Sequence, residues 1–149
     1  MYSAYSRNIW RYALSLSGDR AWADDLTAEA FLRVWEAGPR VELATVKAYL
    51  LAIVRNLYLK DLDKRRRVGE MPERAQAAST AGAELEEVLQ LLQRMPEDDR
   101  SALLMRAEQG LSYAEIGALL GISEGAARVK VHRARTRLIE MRDGHGTSN

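Results

Sequence analysis

The sequence predicts an all-α protein made of two small helical domains that a flexible linker joins. Apolar residues recur at helical spacing through most of the chain, and the alternation that marks strands is absent. This periodicity stops from about Val68 to Gly82, where VGEMPERAQAASTAG is rich in Ala with Gly, Pro, Ser and Thr. The predicted boundaries are therefore a first domain at 1–67, a linker at 68–83, a second domain at 84–142 and a disordered tail at 143–149.

Three helices are predicted in the first domain. The first covers roughly Tyr5 to Leu16, and the second ends at Gly38, which a proline follows. The apolar stripe of the second helix consists of Trp22, Leu26, Ala30 and Val34. The stripe of the third helix consists of Val46, Leu50, Ile53 and Leu57. This third helix runs out into a basic run, KRRR, at Lys64 to Arg67.

Four shorter helices are predicted in the second domain. One runs from about Glu84 to Arg94, and Pro96 opens the next, which ends near Gly110. Ser112 and Glu115 form a capping box at the start of the third. Gly121 then makes a turn, and Ser123 caps the last helix. Two helices joined by a short glycine turn have the form of a helix-turn-helix.

The last helix combines an apolar stripe with a basic face. At about 100° per residue, the predicted core stripe consists of Ala127, Val131, Ala134 and Leu138. The opposite face is centred on Val129 and His132, with basic residues on both flanks. That layout suits a major groove, because flanking cations meet phosphates while central side chains meet base edges. The alternative is a solvated basic face, but such a face usually mixes acids among its bases, and none lies between Arg128 and Arg137.

Composition narrows the class of protein. The chain has no cysteine, which excludes disulfides and thiolate metal sites and suits a cytoplasmic location. No signal peptide opens the chain, and no apolar run approaches the roughly 18 residues of a membrane span. No nucleophile–base set, carboxylate pair or phosphate loop is present, and the two histidines lack partners at metal spacing. The sequence therefore predicts no enzyme, no metal and no cofactor.

Two blocks of sequence resemble a known family. DRAWADDLTAEAFLRVWEA, followed by VKAYLLAIVRN and a basic run, resembles region 2 of the sigma-70 family, and above all its extracytoplasmic-function (ECF) members. LLQRMPEDDRSALLMRAEQGLSYAEIGALLGIS and HRARTRL resemble region 4 of the same family. The resemblance implies an ECF sigma factor that gives bacterial RNA polymerase its promoter specificity and has no catalytic chemistry of its own. Implied partners are the core polymerase, through its largest-subunit coiled coil and its flap, promoter DNA, and an anti-sigma factor.

The resemblance assigns the first domain to the polymerase and to the −10 element. The positions that match the polymerase-binding surface are Asp25, Ala28, Glu29 and Trp35, with Phe31 beside them. The positions that match the −10 surface are Arg40, Lys47, Asn56 and Lys60, around a loop from Gly38 to Thr45. Ala28 departs from the family's usual Gln, and Tyr49 stands where the family has Trp. Trp35 suits core packing as well as an interface, and the KRRR run suits either DNA contact or a basic helix end.

The resemblance assigns the last helix to the −35 element. Base reading falls to Arg128, Val129 and His132. Phosphate contact falls to Ser123, Lys130, Arg133 and Arg135.

Two alternatives stay open at this point. A sigma-like decoy would bind an anti-sigma factor without directing transcription; Ala28 and a chain that begins almost inside its first helix favour it, whereas Asn56 and the basic last helix disfavour it. A stand-alone helix-turn-helix repressor leaves the first half of the chain without a role.

Overall fold

The computed structural model describes residues 2–37, 43–69 and 82–147, and within these ranges the chain forms seven helices and no strand. It divides into two compact units, an amino-terminal unit of residues 1–75 and a carboxy-terminal unit of residues 76–149. The predicted all-α fold is confirmed. Most of the predicted linker, residues 70–81, lies outside the described residues. Among the described residues, every helix is too short or too polar to cross a bilayer.

Three helices form the amino-terminal unit, and each of them packs against the other two. They are α1 (Tyr2–Ser17), α2 (Arg20–Ala37) and α3 (Leu43–Arg67). Asp19 starts α2, because its Oδ1 accepts a hydrogen bond of 3.0 Å from the backbone N–H of Trp22. The largest fully buried side chains of the unit come from all three helices and are Ile9, Tyr12, Leu16, Leu26, Leu50, Leu51 and Val54. Their burial is the main source of this unit's stability.

Trp22 ties the end of α3 to the start of α2. Its buried ring lies 4.9 Å from the ring of Tyr58, and its Nε1 donates to Asp61 Oδ2 at 3.2 Å. The guanidinium of Arg65 covers the same ring at 3.8 Å. One member of the KRRR run is therefore engaged within the unit, while Lys64, Arg66 and Arg67 are exposed.

Four helices form the carboxy-terminal unit: α4 (Ala83–Gln93), α5 (Glu97–Ala107), α6 (Tyr113–Leu120) and α7 (Glu124–Thr147). On α7, Ala127, Val131 and Ala134 are buried and Leu138 is half-buried, which confirms the predicted core stripe. The disordered tail predicted at 143–149 is corrected for residues 143–147, because α7 continues to Thr147, and residues 148–149 lie outside the described residues. Once a helix is established, each added residue gains a hydrogen bond, so the helix can continue beyond the last residue of the apolar stripe that predicts it.

A buried arginine joins α5 to the end of α4. The side chain of Arg100 is 4% exposed, and its Nη1 donates to the carbonyl oxygens of Met95 at 2.9 Å and of Leu92 at 3.3 Å. These carbonyls lie at or just beyond the carboxyl end of α4, where a helix leaves its last carbonyl groups without intrahelical donors. Arg100 supplies donors to that end and so fixes the corner between the two helices.

The helix-turn-helix has the caps that the sequence predicts. Ser112 Oγ accepts from the N–H of Glu115 at 3.1 Å, and Glu115 Oε1 accepts from the N–H of Ser112 at 2.8 Å. Ser123 Oγ accepts from the N–H of Ala126 at 3.0 Å and so caps α7. Gly121 ends α6 with φ of 71°, a left-handed conformation that favours glycine.

Replacing Gly121 with alanine should lower the free energy of unfolding of this unit by about 1 kcal/mol, the cost of a Cβ in the left-handed region. Gly125→Ala is the matched control, since Gly125 also has nothing within 4 Å of an added Cβ but lies in α7 at a φ open to every residue. Amide hydrogen exchange of α6 and α7 in the full chain measures both variants. Equal protection in the two would contradict the role given to the turn.

Candidate nucleic-acid interface

The face of α7 opposite its buried stripe is exposed and basic. Val129 is 47% exposed, and His132, Arg133 and Arg135 are exposed around it. Ser123 is exposed at the start of the helix, where first-turn N–H groups favour anions. The helix thus presents an apolar side chain and an imidazole between cations. Such a surface can meet base edges and phosphates together.

Arg128, on the flank of this face, contacts two other residues of its own unit. Its Nη2 lies 3.9 Å from Glu124 Oε2, one helical turn before it, and both side chains are more than half exposed. Its Cζ lies 4.7 Å from the centre of the Tyr113 ring on α6. The base-reading position predicted from the sequence is therefore accessible, and its guanidinium is held beside an aromatic ring.

Lys130 does not face outward with the other cations. Its Nζ donates to Asp98 Oδ2 at 2.9 Å and to Asp99 Oδ1 at 3.0 Å, both in the first turn of α5. The hydrogen bond with Lys130 lowers the pKa of Asp98, and the same bond raises the pKa of Lys130, so the pair stays charged at neutral pH. In the free chain this ammonium group is therefore neutralised within the unit, which argues against the phosphate contact predicted for Lys130.

Helical spacing explains why Lys130 points toward α5. Lys130 follows Ala127 by three residues and precedes Ala134 by four, and both alanines are buried. Residues three and four apart share a helix face, so Lys130 borders the core stripe. Arg133, by the same rule, shares a face with the exposed Val129 and Thr136. The spacing was visible in the sequence, but the two acids that receive Lys130 lie more than 30 residues away.

A second exposed face lies on α2. Trp35 is 83% exposed and Leu32 is 52% exposed, so core packing of Trp35 is excluded. Asp25 and Ala28 are also exposed, and the four residues follow each other at intervals of three, four and three. We call these four residues the α2 stripe. Glu29, half-buried beside it, lies 3.7 Å from Arg33 on the same helix. Leu32 was missed by the sequence analysis, although the spacing from Ala28 marks it.

A third exposed face lies on α3 and carries two of the four residues predicted for the −10 element. Asn56 and Lys60 are exposed one turn apart, and Tyr49 is exposed two turns before Asn56 on the same side. Lys47 precedes Asn56 by nine residues, about two and a half turns, so the helix places it on the opposite side. Arg40 lies outside the described residues. Tyr49 thus shares the exposed face of Asn56 and Lys60, whereas Lys47 does not.

Comparison with known families agrees with the division into two units. The family model described as Sigma-70 region 2 matches residues 1–68. The one described as Sigma-70, region 4 matches residues 85–138.

Individual relatives cover most of the chain. It is 35% identical to the ECF RNA polymerase sigma factor EcfG of Rhodopseudomonas palustris, over 85% of this chain and 75% of that protein. It is 31% identical to the sigma factor SigE of Mycolicibacterium smegmatis, over 96% of this chain but 60% of that protein. Among solved structures, the sigma factor RpoE in complex with the anti-sigma factor NepR, from Bartonella quintana, matches with a TM-score of 0.84 and 27% identity over 95% of this chain and 93% of that one. The chain belongs to the ECF family of RNA polymerase sigma factors, which are transcription initiation factors and not enzymes.

Proposed function

We propose that this protein binds core RNA polymerase and directs it to promoters, reading the −35 element as duplex with α7 and the opened −10 element with α3. The observation that carries the proposal is the exposed basic face of α7, with no acid between Arg128 and Arg137, on a chain that belongs to the sigma factor family. A regulator of this kind works beside the chromosome, so we also place it in the cytoplasm.

The α2 stripe is the surface that we assign to the polymerase. Intervals of three, four and three repeat the seam spacing with which one helix docks along another. An exposed tryptophan next to a leucine supplies the kind of anchor that dominates interface energetics. Asp25 within the α2 stripe and Glu29 beside the stripe add negative charge, which suits a basic helical partner.

The same stripe is also the surface that we assign to an anti-sigma partner. The matching RpoE chain was solved with the anti-sigma factor NepR. An inhibitor that covers Leu32 and Trp35 would shield the apolar side chains and exclude the polymerase at once. Binding of the two partners would then be mutually exclusive.

Residues on α3 supply what an opened −10 strand needs. Single-stranded bases stack on aromatic rings while cations track the backbone. Tyr49 offers the ring, Lys60 the cation, and Asn56 an amide that can both donate to and accept from a base edge. Ordering these groups along one exposed face lets successive bases meet them in turn.

On α7, the roles divide between base edges and phosphates. Arg128 can donate two parallel hydrogen bonds to a guanine, and Val129 can meet a thymine methyl group. His132 lies next to Val129 on the same face. Arg133 and Arg135, on the two sides of this face, are the cations that we assign to phosphates, since Lys130 is paired with α5. Ser123 at the amino end can donate its hydroxyl to a further phosphate.

Replacing Arg128 with alanine should relax base preference at one −35 position by about 1–3 kcal/mol. Arg135→Ala should instead weaken binding to all sequences alike. It should also lower, by about one, the slope of the logarithm of the binding constant against the logarithm of the salt concentration. Both residues are exposed on α7, so the variants are matched in fold and in charge change. Binding of the reconstituted holoenzyme to a set of −35 variants, at several salt concentrations, measures both effects. Identical behaviour of the two variants would overturn the division of roles.

Run-off transcription tests the function as a whole. Purified core polymerase, this chain and a promoter library should yield transcripts whose templates share a −10 and a −35 motif. Failure to bind core polymerase, together with capture of an anti-sigma factor, would instead identify a decoy.

A further inference from the structure

Tyr113 lies between two arginine side chains. It is the first residue of α6, its side chain is half-buried, and its ring centre lies 4.7 Å from Cζ of Arg128 on α7. Cζ of Arg106 on α5 lies 4.3 Å from the same ring. Three helices therefore meet at this ring, one of which carries the residue assigned to base reading.

Two features hold the Tyr113 ring in place: a side chain of α5 and the cap at the start of α6. Arg106 Nη1 donates to the carbonyl oxygen of Leu111 at 3.0 Å, so the arginine that lies against the ring is itself anchored. The capping box of Ser112 and Glu115 fixes the backbone on either side of Tyr113. A ring fixed in this way is a rigid surface for a longer, more flexible partner.

Arg128 needs such a surface. A free arginine side chain loses rotamer freedom when it is fixed in one orientation, which weakens any contact that must fix it. Stacking uses the flat face of the guanidinium and leaves its donor edge open to hydrogen-bond a base. Glu124, at 3.9 Å, is more distant than a hydrogen bond requires and restrains the same group electrostatically.

We propose that Tyr113 is a positioning residue for sequence recognition: its ring holds the guanidinium of Arg128 so that the donor edge faces the major groove. This inference rests on the proposed function, because it presupposes that Arg128 reads a base. It adds a specificity determinant on α6, outside the helix that enters the groove.

The test compares Tyr113→Leu and Tyr113→Phe in the reconstituted holoenzyme, on templates that differ at the −35 position where Arg128→Ala relaxes base preference. Tyr113→Leu should reduce discrimination at that position by about threefold to tenfold, because it removes the stacking surface. Tyr113→Phe keeps the ring and should stay within about twofold of the parent. Tyr113→Leu in the Arg128→Ala background should cause no further loss, because the two side chains act as one unit.

A second readout needs no DNA. Protons of the Arg128 side chain should show a ring-current shift in nuclear magnetic resonance spectra of the free chain, and Tyr113→Leu should abolish it. Amide exchange of α6 and α7 shows whether the variants keep their fold.

The outcomes separate the inference from the function on which it rests. If Arg128→Ala relaxes base preference but Tyr113→Leu does not, the inference is overturned and base reading by Arg128 stands. If Tyr113→Leu weakens binding to every template alike, or if Tyr113→Phe behaves like Tyr113→Leu, the ring does not position Arg128. If Arg128→Ala leaves base preference unchanged, the assignment of Arg128 and the inference both fail.

Discussion

Replacing Arg100 with leucine should lower the free energy of unfolding of the carboxy-terminal unit by about 2–3 kcal/mol. Leucine fills part of the space but donates no hydrogen bond, so the carbonyl oxygen of Met95 loses the donor now at 2.9 Å and that of Leu92 loses the one at 3.3 Å. A buried carbonyl left without a donor costs about 1–3 kcal/mol. The Leu92 carbonyl also accepts from the N–H of Met95 at 3.1 Å, which limits the loss.

Because of where the tryptophans lie, the unfolding of the two units can be followed separately in the full chain. All three tryptophans, Trp10, Trp22 and Trp35, belong to the amino-terminal unit, so their fluorescence follows the unfolding of that unit. Far-ultraviolet circular dichroism follows both units. Arg100→Leu should shift the circular dichroism transition of the carboxy-terminal unit to lower urea and leave the fluorescence transition in place.

Arg94→Leu is the matched control, because Arg94 is exposed at the same corner and its backbone, not its side chain, caps α4. It should change stability by less than about 0.5 kcal/mol. Equal losses for Arg94→Leu and Arg100→Leu would contradict the role given to the Arg100 guanidinium.

Replacing Trp35 with alanine should weaken binding of the chain to core polymerase by about 30-fold, the loss typical of a central aromatic anchor. The side chain is 83% exposed in the free chain, so the variant should fold as the parent does. Fluorescence anisotropy of the labelled chain, titrated with core polymerase, measures the affinity. Glu36→Ala is the control, since Glu36 is an exposed neighbour on α2 that lies outside the α2 stripe. Parent-like affinity of Trp35→Ala would remove the α2 stripe from the polymerase interface.

Local signals of the sequence predicted the helices and their ends. Ser112, Glu115 and Gly121 mark a helix start and stop by chemistry that acts within a few residues, so the caps could be predicted without knowledge of the fold. The core stripe of α7 followed from spacing for the same reason. The last turns of α7 carry no such stripe, and there the predicted tail was wrong.

Long-range contacts limited the prediction of the candidate sites. Phasing placed Lys130 on a flank of α7, but its partners Asp98 and Asp99 become visible when α5 is docked against α7. Trp35 was undecided for a related reason, because a large aromatic residue suits a core as well as an interface. Its exposure depends on where α3 and α1 cover α2, which one helix cannot reveal.

The pairing of Lys130 with α5 bears on how the protein searches a chromosome. Each cation that neutralises a DNA phosphate adds about 0.9 to the slope of binding against salt, whatever the sequence. An ammonium group already neutralised by two carboxylates adds little to that sequence-independent attraction. If α7 reads duplex DNA as proposed, it therefore dissociates faster from non-promoter DNA, while the contacts of Arg128 and Val129 to base edges keep their full strength. Acids at the start of α5 would in this way raise the ratio of promoter binding to genomic background without touching DNA.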